Sequence, residues 1–134
     1  MGLYLCVMDA DENEVDGVEV GSYADWDQFR TDVRSLGEAK FPTILLHSDC
    51  DGEWSPAECA ALDRELVAVA DGFSRLPPRS LAPQTWQVEV AKTFGLRPRN
   101  LYECYFDVDS EPLIERLQGL SRVAQERGLP ILFQ

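Results

Sequence analysis

Residues 41–73 read FPTILLHSDCDGEWSPAECAALDRELVAVADGF, and the way this stretch divides decides the fold class. Its first part, Phe41 to His47, is short and mostly apolar, which is the composition of a buried strand, with Pro42 limiting pairing at its start. Its last part, Pro56 to Phe73, sets Cys59, Leu62, Leu66, Val69 and Phe73 on one helical stripe. The start of that helix is well marked. Ser55 is a good N-cap, Pro56 suits the first helical position, and Glu58 completes a capping box. A buried strand leading through a polar loop into a long amphipathic helix predicts an α/β domain, α+β in its layering.

Upstream, Gly2 to Met8 (GLYLCVM) is apolar enough for an inner strand. The acidic run Asp9 to Asp16 follows, and Val15 to Val20 alternates as a second strand would. Asp25 to Leu36 carries Trp26, Phe29, Val33 and Leu36 at helical spacing. Downstream, Arg75 to Pro83 (RLPPRSLAP) has the prolines of an extended surface connection. Trp86, Val90 and Phe94 predict a third helix ending at Gly95, and Leu101 to Val108 reads as a strand. Pro112 opens a fourth helix with Leu113, Leu117 and Leu120 on its stripe; Gly128 ends it, and Leu129 to Phe133 is a last strand. The expectation is a single domain over residues 1–134, with one mixed sheet of about five strands packed against about four helices. Strand order is not legible.

The 134 residues carry 24 acidic and 12 basic side chains, a formal charge of −12 that argues against direct binding to nucleic acid or to anionic membrane. The acidity is one-sided. Residues 1–74 hold 17 acids and 4 bases, whereas the remainder hold 7 and 8, so a negative face is expected. No stretch reads as an export signal or a membrane span. A cytoplasmic setting follows, with Cys6, Cys50, Cys59 and Cys104 as reduced thiols and Cys6 and Cys104 placed in strands.

The segment His47 to Glu58 (HSDCDGEWSPAE) holds most of the candidate chemistry. Read as a calcium loop, it offers Asp49, Asp51, Glu53, Ser55 and Glu58, with Gly52 at the turn position. Its first ligand would be His47, a poor partner for a hard cation, and Ser55 and Glu58 are already explained by the helix cap. His47 and Cys50 could pair as base and nucleophile, but no third group is identifiable to orient them. Zinc spacing and a glycine-rich phosphate loop are both missing from the sequence. No catalytic residue, cofactor or resident metal is therefore assigned, and a small enzyme of unidentified class is the weakest reading. Trp26 and Trp86 are expected in the core. Trp54 has two readings: an exposed anchor ringed by Asp49, Asp51 and Glu53, or a residue folded back against the helix start.

Several stretches together, MGLYLCV, EVDGVEVGSYADWDQFR, FPTILLHSDCDGEWSP and RGLPILFQ, resemble a family of bacterial polymorphic-toxin immunity proteins, the immunity protein 70 type most closely. The resemblance weakens between about Ser74 and Arg99 and brings no catalytic motif with it. It implies a small cytoplasmic protein that binds and neutralises a cognate toxin domain. A nuclease is one toxin class that would fit, because its phosphate-holding surface is basic and an acidic protein would steer towards it. The contact residues expected on that reading are Asp49, Asp51, Glu53 and Trp54, with Asp9, Asp11, Glu12 and Glu14 as a second surface.

Overall fold

A computed structural model describes residues 2–48 and 51–134. Its sheet has four strands, β1 (Gly2–Met8), β2 (Glu14–Ser22), β3 (Glu53–Trp54) and β4 (Ile131–Phe133), in the order β2-β1-β4-β3. Every neighbouring pair is antiparallel. Because β1 is central and alternates strictly, Leu3, Leu5 and Val7 point into the core and Tyr4, Cys6 and Met8 point away from it. Register carries the same division across the sheet. Leu5 pairs with Val18 and Phe133 on the inner side, while Cys6 pairs with Gly17 and Leu132 on the outer side.

The helices are α1 (Tyr23–Arg34), α2 (Pro42–Leu45), α3 (Pro56–Ser74), α4 (Trp86–Phe94) and α5 (Leu113–Arg127). The N-termini of α1 and α3 are both closed by reciprocal capping boxes, Ser22 with Asp25 and Ser55 with Glu58. The stripe expected on α3 is the observed one, with Cys59, Leu62, Leu66, Val69 and Phe73 all buried. Trp26 stacks on Phe29 at 5.3 Å, Phe29 meets Phe73 edge-on at 5.8 Å, and Trp54 meets Phe133 edge-on at 4.7 Å. These rings, together with Ile114, Leu117 and Leu120 of α5, fill the space between the inner side of the sheet and the helices.

The α+β class holds, with three differences in detail. The sheet has four strands, all antiparallel, in place of a mixed sheet of about five. Phe41–His47 is not a strand, because Pro42–Leu45 forms a turn of helix whose ends are met by distant side chains. The buried Glu65 carboxylate accepts from the Thr43 and Ile44 amides, each at 3.1 Å, and the Arg30 guanidinium donates to the Leu45 carbonyl at 2.8 Å. Leu101–Val108 is not a strand either. Tyr102–Cys104 is a 3-10 turn, and Asp107 folds the next residues back by accepting from the Asp109 and Glu111 amides at 2.9 Å. Cys104 is buried in that turn and not in a strand. Trp86 is half-buried at the start of α4, its indole N–H donating to Asp25 at 3.1 Å, so it is a clasp at the edge of the core rather than part of it.

Candidate functional site

The outer side of the sheet is built by the strand alternation just described. Across its middle run Gly17, Cys6, Leu132 and Glu53 in register, flanked by Glu19 and Tyr4 on one side and by Glu14 and Met8 on the other. Tyr4, Met8 and Leu132 are half-buried, and Glu14, Glu19 and Glu53 are exposed. Cys6 is buried, and none of these residues is part of the core cluster between the sheet and the helices. Tyr4 lies over Gly17, where a Cβ would meet its hydroxyl oxygen at 2.1 Å, so glycine leaves room for the ring. Burial, a hydrogen bond to the Glu14 carboxylate, and the charges of Glu14 and Glu19 push the Tyr4 phenol up to about 12. The Cys6 thiol is likewise raised, by burial and then by Glu14. The charged residues named across this side, Glu14, Glu19 and Glu53, are all acids.

Asp9, Asp11, Glu12 and Glu14 form the hairpin between β1 and β2. The Asp9 carboxylate accepts from the Asp11 and Asn13 amides at 2.9 Å, and Glu12 holds a left-handed φ of 62° to close the turn. Asp51 and Glu53 stand elsewhere. Glu53 is level with Cys6, whereas Asp9 lies three residues further along β1, so the two are offset by roughly 10 Å along the strands and roughly 10 Å across them. Asp51 precedes Glu53 and is further from the hairpin still. The two acidic segments thus occupy opposite corners of the sheet. Asp49 and Cys50 lie outside the described residues.

Trp54 is not an exposed anchor. It is 1% exposed, on the inner side of β3, and its indole N–H donates to the Thr43 carbonyl at 3.0 Å. Register decides this: Glu53 faces outward, so Trp54 must face in. Both ring nitrogens of His47 are taken up by backbone carbonyls, Nδ1 at 2.7 Å from Ser48 and Nε2 at 2.8 Å from Glu53, and its ring stacks on Phe133 at 4.1 Å. That arrangement leaves no nitrogen free for a base. The Ser55 hydroxyl and the Glu58 Oε1 are spent on the α3 cap, at 3.1 and 3.0 Å. Among the described residues, no group of three His, Cys, Asp or Glu side chains is placed to hold a metal ion.

The sequence reading missed a polar clasp joining α1 to the proline-rich connection. Arg79 grips Asp32 with its two terminal guanidinium nitrogens, at 2.6 and 2.7 Å, and the Tyr105 hydroxyl donates to the same carboxylate. Burial alone would raise the Asp32 carboxyl, but the Arg79 and Tyr105 hydrogen bonds and the Arg79 charge outweigh it and hold it below the usual range. Tyr105 is pushed up by burial and by that bond. A pocket of about 290 Å³ opens beside the clasp, lined in part by Asp25, Gln28, Arg79, Cys104 and Tyr105. Its acids are engaged: Asp25 caps α1 and accepts from Trp86 and Gln87. The only sequence signal for the clasp was an acid, Asp32, beside the buried stripe of α1, and nothing local pointed to its partners 47 and 73 residues away. Cys6, Cys59 and Cys104 are buried and free.

A one-sheet α+β domain with its helices and core on one side of the sheet is the class these features define. The family model described as Immunity protein 70 matches residues 3–133, and the chain belongs to that family. Membership suggests toxin neutralisation, with a cognate toxin as partner, and an inhibitor rather than an enzyme. Searches of curated proteins and of solved structures returned no match. Among the described residues, no helix is long and apolar enough to cross a membrane.

Proposed function

We propose that this protein binds a cognate bacterial toxin domain in the cytoplasm and neutralises it by covering or misaligning its active site, with negative charge steering it to a basic toxin surface. The observation that carries this reading, beyond family membership, is where the charge lies. Residues 1–74 hold 17 acids against 4 bases, and the exposed hairpin at Asp11, Glu12 and Glu14 and the outer sheet residues Glu19 and Glu53 belong to that half. A basic active site built to hold phosphate, as in a nuclease, is the surface such a field would find fastest. Neutralising by contact requires no acid–base pair, and the His47 ring and the α3 cap residues are already committed to the fold.

The test is co-expression with the toxin domain encoded beside it, then co-purification at low and at high salt. Relief of toxicity and a complex that associates more slowly as salt rises are expected. A complex indifferent to salt would retain toxin binding and remove the electrostatic capture. No complex and no relief of toxicity would overturn the reading.

A further inference from the structure

We propose that the outer side of the sheet is the surface that docks the toxin, and that its partner is a basic protein surface carrying apolar side chains among its Lys and Arg residues. The inference rests on the toxin-binding reading and specifies where it acts.

Three observations lead there. First, β1 is apolar along its whole length, a pattern found where a strand is covered on both sides. Here the core covers only the side of Leu3, Leu5 and Val7. Around the buried Cys6, Tyr4 and Met8 with Leu132 of β4 leave a partly exposed apolar strip that, among the described residues, is not part of the core cluster. Second, the charged residues bordering that strip, Glu14, Glu19 and Glu53, are all acids. A second copy docked face to face would set acid against acid, so self-association through this side is disfavoured and a cationic partner is favoured. Third, both edges of the sheet are blunted: β3 is only two residues long, and β2 is engaged by α5. Arg116 of α5 donates to the Gly17 carbonyl of edge strand β2 at 2.7 Å and lies 3.8 Å from Asp16, which works against strand addition there and leaves the flat side as the accessible surface.

Size sets the extent of the contact. The four strands hold 7, 9, 2 and 3 residues, and at ~3.3 Å per residue and ~4.8 Å per strand their footprint is roughly 330 Å². A stable complex covers about 800 Å² per partner. The toxin therefore reaches beyond the strands onto the hairpin at Asp11 and Glu12 at one corner and the Asp51 turn at the other. The two separated acidic segments become the ends of one surface, with the apolar strip supplying the desolvated centre that charge alone lacks.

The experiment compares Glu19→Lys/Glu53→Lys, which reverses two charges on the outer side, with Asp27→Lys/Glu126→Lys, which reverses two exposed helical charges away from it. Both are checked for an unchanged melting temperature. The milder Glu19→Gln/Glu53→Gln stands in if the first fails to fold. Affinity for the neighbouring toxin domain and relief of toxicity are read for each. The outer pair is expected to weaken binding ~100-fold or more and the helical pair less than ~3-fold. Equal losses from both pairs would reduce the sheet to a share of general steering and overturn the assignment. Wild-type affinity in the outer variant would also overturn it while leaving the immunity reading intact. Failure of the wild-type protein itself to bind would overturn both. A dimer of the free protein that dissolves in the outer variant would make a second copy the occupant and overturn the proposed partner.

Discussion

Trp54 and Asp32 show how single side chains redistribute the expected roles. Because Trp54 is 1% exposed among Trp26, His47 and Phe133, Trp54→Ala should cost about 3–5 kcal/mol of stability, read as a lower urea midpoint. Any loss of toxin affinity in that variant should follow the loss of fold. Asp32 makes a prediction about acid. Its folded-state carboxyl is held below the ordinary value, so its stabilisation is complete above the unfolded value of about 4 and is lost as pH falls through the lower folded one. Asp32→Asn should be less stable near neutrality, by about 2 kcal/mol given that the Arg79 side chain is 44% exposed, and should lose less on further acidification. A pH series of thermal melts on both proteins checks that the curves converge as pH falls; parallel curves would count against the clasp.

Elements that close their own ends were legible, and those closed by distant partners were not. The Ser55–Glu58 capping box is written within four residues, and α3 begins where that motif places it. Ser55→Ala should cost about 1 kcal/mol. The cost should be the same in calcium and in chelator, measured by chemical unfolding, since the Ser55 and Glu58 oxygens serve the cap. A calcium-dependent difference would restore the loop as a cation site. In contrast, FPTILLH has the composition of a strand, and its helical turn depends on Glu65 at one end and Arg30 at the other. No window over residues 41–47 contains either group. The 101–108 stretch went astray for a different reason, since its turn is closed locally. Asp107 bonds the amides two and four residues ahead, and a buried carboxylate at a turn outweighed the alternation around it.

For the molecule as a whole, the net charge of −12 opposes compaction. Raising salt from about 10 to 150 mM shortens the Debye length from ~30 to ~8 Å. The free protein should therefore melt at a higher temperature in the saltier buffer, while association with a basic toxin slows. Glu19→Lys/Glu53→Lys should show a smaller salt effect on the melt of the free protein. A free protein that loses stability with added salt would mean that its ion pairs outweigh its self-repulsion.

Periodicity, caps and charge are local or additive properties, so the α+β class, the long α3 and α5 helices, the hairpin strands β1 and β2 and the sign of the net charge were legible in the sequence. It also carried the wholly apolar β1, whose second side only gained meaning once the helices were seen to cover the first. The tertiary structure alone decided strand order, the inward turn of Trp54, the separation of the two acidic segments to opposite corners, and the grip of Arg79 on Asp32. Each of these depends on contacts between residues far apart in the chain. Such contacts are set by how the layers pack, and no short window of sequence holds both partners.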